Sequence, residues 1–243
     1  MLRIASQSIH TLDGMVVASE VLVRLQDGNR IVSPDVFMKG HSAHSWIDLD
    51  HQVLRMVRRS KALVHSQVPT FVNVSPATLE HNEFMHTFCA EVEAVVDTLR
   101  SPLVIEIPEK CPLDGSKLLG RIEDIKAAGA HVALDDYGSV HADFARLKLC
   151  HWNYCKVDLP ALSKHSNLDW LHAGIQHANE NGIQLIMEKL ESTQGLDLLT
   201  PVKKSSWYQG YFFSRPELVN TRQEAWTEEG WEAEGSGRLK SYG

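Results

Sequence analysis

The chain has 243 residues, 43% hydrophobic and 23% charged, long enough to bury a full core as one large domain. A formal charge of −7 without a concentrated basic patch excludes duplex nucleic acid held by phosphate neutralisation. No apolar run approaches the ~20 residues of a membrane span. Four cysteines without a Cys-x-x-Cys pair, and a start without a long apolar run, lead us to expect a reduced, cytoplasmic protein with no membrane insertion.

Residues 3–9 and 15–25 alternate apolar and polar side chains around Asp13-Gly14, a pair suited to a tight turn, and predict an antiparallel opening. Helical periodicity follows at about 47–65, with Ile47, Leu49, Val53, Leu54, Val57 and Leu63 on one face. A strand-then-helix rhythm then repeats: Thr70–Val74 and 82–99, Leu103–Ile107 and 115–128, His131–Asp136 and 142–149, Tyr154–Asp158 and 167–181, Gln184–Glu188 and 193–200, ending with Trp207–Phe212. Eight strands in one unit of about 220 residues predict an α/β fold, a (β/α)8 TIM-like barrel with an antiparallel first strand. An open doubly wound sheet is the alternative, weakened by the lack of a Gly-x-Gly-x-x-Gly loop. Residues 1–220 form the barrel in this reading. Residues 221–243, polar and acidic, form a peripheral tail in which Trp226 and Trp231 could dock a short helix.

Polar residues interrupt the apolar strands at Glu20, Asn73, Glu106, Asp135, Asp136, Lys156, Glu188 and Gln209. In a barrel such strand ends converge on one face, where active sites sit. Five carboxylates there would repel one another, and Lys156 offers one positive charge against them. Two divalent cations would bring the sum to zero, and carboxylate and amide oxygens suit Mg²⁺ or Mn²⁺. A metal-dependent phosphoesterase is the chemistry this set predicts. The histidines lack His-Glu-x-x-His spacing, and Ser75 and Ser214 lack a nucleophile-elbow context, so a zinc peptidase and a serine hydrolase are not indicated. Arg55, Arg58, Arg59 and Lys61 read as a solvated helix face.

The chain resembles the EAL domain, the family of cyclic di-GMP phosphodiesterases and related binding proteins, over residues 1–218. The resemblance rests on an ordered set: Glu20-Val21-Leu22-Val23-Arg24, Asn73-Val74-Ser75, Glu106-Ile107-Pro108-Glu109, Asp135-Asp136-Tyr137-Gly138, Lys156-Val157-Asp158, Glu188-Lys189-Leu190-Glu191 and Gln209-Gly210-Tyr211-Phe212-Phe213-Ser214-Arg215-Pro216. It implies that Glu20, Asn73, Glu106 and Asp135 hold metal, with Asp136 serving a second ion and Glu191 supporting the site. Lys156, Glu188 and Gln209 would position water, with Glu188 the candidate general base. Glu109 would brace the loop after Asp136, unless it makes a plain surface salt bridge. Arg24 is a candidate phosphate contact, against a rim ion pair, and Arg215 is carried over as a substrate-binding residue. Two metal ions suit in-line displacement at a phosphodiester, which would open cyclic di-GMP to linear pGpG. A homodimer is implied as well.

Several positions depart from the family pattern. The family continues its double aspartate with Phe-Gly-Thr-Gly-Tyr-Ser, whereas this chain has Tyr137-Gly138-Ser139-Val140-His141-Ala142, with a β-branched residue at a glycine position. Glu-Gly-Val-Glu has become Glu188-Lys189-Leu190-Glu191, placing a long cation that either points away or pairs with a site carboxylate. Pro108 stands for a common threonine and Val21 for alanine in the signature. A catalytically impaired cyclic di-GMP receptor or protein-interaction module is therefore the rival to a phosphodiesterase. The expected protein stands alone without a sensor segment, controlled through expression, oligomerisation or a separate protein partner.

Overall fold

The structure is a computed structural model that describes residues 1–108, 111–138, 144–163, 167–192 and 202–219. Strand β1 (Leu2–His10) turns at Asp13-Gly14 into the long β2 (Val16–Asp27), and the two pair antiparallel from Leu2↔Leu25 to His10↔Val16. Gly14, at φ +91°, supplies the left-handed backbone that the turn needs. A short β3 (Arg30–Val32) folds back on the end of β2. Helices α1 (Pro34–Phe37), α2 (Ala43–Arg59) and α3 (Lys61–Val64) follow. The periodicity at 47–65 is thus two helices. Ser60 leaves helical angles at φ −78°, ψ 107°, and its hydroxyl accepts from the Leu63 N–H to start α3.

The alternation then proceeds through β4 (Thr70–Asn73), α4 (Pro76–Glu80), α5 (Asn82–Val96), β5 (Leu103–Ile107), α6 (Gly115–Ala127), β6 (His131–Tyr137), α7 (Phe144–Leu147), β7 (Tyr154–Asp158), a 3₁₀ turn at Leu159–Ser163, α8 (Asp169–Asn181), β8 (Gln184–Glu188) and β9 (Trp207–Tyr208). A last short strand, β10 (Glu217–Leu218), pairs with β1 at Ala5 and Ser6. The last barrel strand is shorter than Trp207–Phe212, because the chain turns at Gly210, where the backbone of Leu190 leaves no space for a Cβ. The expected helix at 193–200, the start of the one at 142–149 and the tail at 221–243 lie outside the described residues.

Strands β2, β4, β5, β6, β7, β8 and β9 run parallel in that order, and β1 closes the ring by pairing antiparallel with both β9 and β2. The result is a closed eight-stranded barrel wrapped by helices, with an inverted first strand. Two apolar layers hold it. The larger lies between strands and helices and includes Leu54, Val57, Leu79, Phe88, Ile105, Ile122, Leu134 and Trp152. The smaller plugs the barrel with about one residue per strand: Ile9, Ala18, Phe71, Val104, Ala133, Tyr154, Ile186 and, partly buried, Trp207.

Candidate active site

Side chains alternate across a strand with a period of two, so the residue two positions beyond each plug residue also points into the barrel. Along the parallel strands this step gives Glu20, Asn73, Glu106, Asp135, Lys156, Glu188 and Gln209. Along the inverted β1 the same step runs backwards, from Ile9 to Gln7, and Gln7 lies opposite Glu20 in the β1–β2 register. The site is therefore one complete layer of the barrel, stacked on the apolar plug, with four carboxylates, three amides and one lysine. A mouth cavity of about 1030 Å³ opens above it, and all of these residues except Glu106 line that cavity.

Lys156 is the hub. Its Nζ lies 2.8 Å from Glu106 Oε1, 2.8 Å from Glu188 Oε1, and 3.4 Å from both Glu20 Oε2 and Asp135 Oδ1. The amides fix Glu20: Asn73 Nδ2 donates to Oε1 at 2.8 Å and Gln209 Nε2 to Oε2 at 2.6 Å. Gln209 also donates to Gln7 Oε1 at 3.3 Å, while Gln7 donates to the Ser214 carbonyl at 2.9 Å, tying the inverted strand to the loop after β9.

One lysine does not satisfy this set. Burial pushes Glu106 well above the usual carboxylate range, with the charge on Glu20 adding to the effect and Lys156 opposing it. Burial likewise raises Glu188 to about 8 and raises Asp135, against the pull of Lys156 in both cases. Glu20 moves the other way: burial would raise it, but Lys156 and the amides of Gln209 and Asn73 bring it below its ordinary value. Burial would also lower Lys156, yet the surrounding carboxylates hold it well above its ordinary value. Among the described residues, Glu106 Oε2, Glu188 Oε2 and Gln209 Oε1 are buried without a hydrogen-bonding partner. Orphaned oxygens beside reluctant carboxylates fit a hard divalent cation, which would take the place of the protons these acids otherwise favour.

Asp136 departs from the layer. Strand β6 shifts register against β7 between Leu134 and Tyr137, and Asp136 takes φ +51°, so consecutive aspartates both face the mouth. Oxygens of Asp135, Asp136 and Glu188 lie within 4.8 Å of one another, close enough to share an ion. Gly138, at φ +96°, lets the chain turn away, and the Trp170 ring packs where a Cβ would stand. Lys189, also left-handed at φ +59°, sends its Nζ to Asp136 Oδ1 at 2.7 Å and to Asp158 Oδ1 at 3.3 Å. Its burial would lower its pKa, but the bond to Asp136 and the charges of Asp136 and Asp158 raise it. Of the two orientations open to Lys189 in the sequence, the structure has the pairing one.

The remaining candidates divide. Arg24 lines the cavity, with its Nη1 donating to the Val23 carbonyl at 2.8 Å. Glu191 is exposed at the rim, and Arg215 stacks on the Tyr211 ring at 4.3 Å. Glu109 and the segment from Ser139 to His141 lie outside the described residues. Sequence reasoning missed Gln7 and Asp50, and gave no role to Asp158 of the Lys156-Val157-Asp158 motif. Asp50, buried on α2, accepts from Ser75 N at 2.8 Å, Ser75 Oγ at 2.7 Å and Thr78 Oγ1 at 2.6 Å, pinning the turn that follows Asn73.

The EAL domain family model matches residues 2–216. The chain belongs to the EAL domain family. It is 24% identical over 215 residues to the probable cyclic di-GMP phosphodiesterase PdeG of Escherichia coli K12, covering 84% of this chain and 42% of that protein. It is 23% identical over 219 residues to the cyclic di-GMP phosphodiesterase PdeF of the same organism, covering 86% and 29%. The chain thus spans less than half the length of these curated relatives. Among solved structures, the PaMucR phosphodiesterase in complex with c-di-GMP superposes with a TM-score of 0.74 at 18% identity, over 90% of this chain and 97% of that one. The Bacillus subtilis YkuI protein, in complex with c-di-GMP and calcium, gives a TM-score of 0.72 at 22% identity, over 91% and 57%. These likenesses establish the barrel fold. Among the described residues of this EAL domain, no helix is long and apolar enough to cross a membrane.

Proposed function

We propose that this EAL domain binds cyclic di-GMP and hydrolyses it to linear pGpG with Mg²⁺ or Mn²⁺. The observation that carries the reading is the closed polar layer, in which buried carboxyl oxygens of Glu106 and Glu188 lack a protein partner. Glu20, Asn73, Glu106 and Asp135 would hold one ion, and Asp135, Asp136 and Glu188 a second. When bound, the ions supply Lewis-acid polarisation of the phosphodiester and lower the pKa of water.

The chain's own groups do the rest. Lys156 fixes the Glu188 carboxylate at 2.8 Å and keeps it aimed at the mouth. Glu188 is the candidate acceptor of the proton of the attacking water, through the oxygen that Lys156 does not hold. Gln209 braces Glu20 at 2.6 Å. Arg24, on the cavity wall, offers a guanidinium for a phosphate oxygen. Glu191 and Arg215 belong to the rim of the same proposal.

The Lys189–Asp136 pair favours a second reading, in which the domain binds the nucleotide without turning it over. Following pGpG with Mn²⁺ or Mg²⁺, alongside nucleotide affinity in chelator, separates the two. Measurable pGpG is expected. Tight binding without turnover, unaltered by restoring glycine at positions 140 and 189, would leave the receptor reading, and failure to bind nucleotide would point to a protein partner.

A further inference from the structure

Lys189 stands at a left-handed φ of +59°, a conformation that disfavours a side chain and that glycine adopts freely. The strained backbone carries a long cation directly beside Glu188. Its ammonium reaches across the mouth to Asp136, itself at φ +51°, and to Asp158, whose carboxylate is buried. Two neighbouring residues in a disfavoured conformation, joined by a 2.7 Å ion pair, make a defined arrangement at a functional site.

The pair takes up Oδ1 of Asp136, one of the three carboxylates whose oxygens cluster within 4.8 Å. Among the described residues Lys189 pairs with Asp136 and Asp158, and with none of Glu20, Glu106 and Asp135. The Lys189 side chain is half exposed, so solvent screens the bond and a divalent ion can displace it.

We propose that Lys189 is a tethered counter-cation that competes with a divalent ion for Asp136. The ion shared by Asp135, Asp136 and Glu188 then binds more weakly than it would beside a neutral residue. The proposal rests on the reading of this mouth as a metal site. Occupancy of that position, and any activity that needs it, follows the free concentration of divalent cation.

The test is Mn²⁺ binding without nucleotide, by calorimetry and by electron paramagnetic resonance of free Mn²⁺, on the full chain and on Lys189→Met and Lys189→Gly. Methionine keeps a side chain at positive φ and removes only the charge, whereas glycine also relieves the backbone. The expected result is Mn²⁺ binding at the position shared by Asp135, Asp136 and Glu188 that is about tenfold tighter in both variants than in the unaltered chain. Coincident isotherms for all three chains overturn the proposal while leaving the metal site standing. A gain in Lys189→Gly alone assigns the effect to backbone strain and also overturns it. Absence of Mn²⁺ binding in every chain removes the metal-site reading and this inference together.

Discussion

Four carboxylates share the ammonium of Lys156, and charges buried at that density in a barrel core are costly without compensation. Replacing Lys156 by methionine removes the compensation and leaves the acids in place. In chelator, urea unfolding is expected to show a loss of about 3–5 kcal/mol, the usual cost of stripping one partner from a buried pair. Added Mn²⁺ is expected to restore part of it. These residues were visible in the sequence as charges interrupting apolar strands. Gln7 was not, because an uncharged amide in an alternating hairpin looks like a solvent-facing residue. The backward step along the inverted strand would have found it. The role of Asp158 escaped for a different reason: it depends on Lys189, whose direction is set by a backbone angle that the sequence does not display.

Among the elements, the turn between β4 and α4 depends on Asp50. Burial pushes its pKa up to about 6, with the hydrogen bonds from Ser75 and Thr78 opposing. A folded-state pKa above the ordinary value means that the native state holds this proton more tightly. Its contribution is thus fully present below about pH 4 and is lost as pH rises through about 6, by up to roughly 3 kcal/mol. Asp50→Asn cannot titrate, so the difference in unfolding free energy between the two chains is expected to change across that window and to be flat above it. The end of β6 depends on Gly138, where a Cβ would stand 2.2 Å from the Trp170 ring at a φ of +96°. Gly138→Ala is expected to cost about 2–4 kcal/mol in chemical denaturation and to weaken Mn²⁺ binding through displacement of Asp136. The long strands were legible as short apolar runs and the long helices from their periodicity, whereas the short β3, α1, α4 and β10 carry too few residues to show a pattern. Boundaries were not: Ser60 splits one helical pattern by serving as the stop of α2 and the cap of α3, and Gly210 truncates β9 through a close backbone approach.

At the scale of the whole molecule, the barrel was legible because eight short apolar strands alternate with amphipathic helices, without the Gly-x-Gly-x-x-Gly loop that would favour an open doubly wound sheet. The convergence of the polar residues then followed from the fold. Closure by an antiparallel β1, pairing with both β2 and β9, brings Gln7 into the layer as the eighth member. With the layer read as a metal site, as proposed, Mn²⁺ at about 100 times its dissociation constant is expected to raise unfolding free energy by about 2.7 kcal/mol, read as a higher thermal midpoint that chelator reverses. The most direct test of the account is incubation of cyclic di-GMP and Mn²⁺ with the unaltered chain and with Glu188→Gln, separating products by chromatography. The expected result is linear pGpG from the unaltered chain, a rate at least about 100-fold lower from Glu188→Gln, and retained nucleotide binding in both. Equal rates in the two chains, or nucleotide and Mn²⁺ bound by the unaltered chain with no pGpG formed, would contradict it.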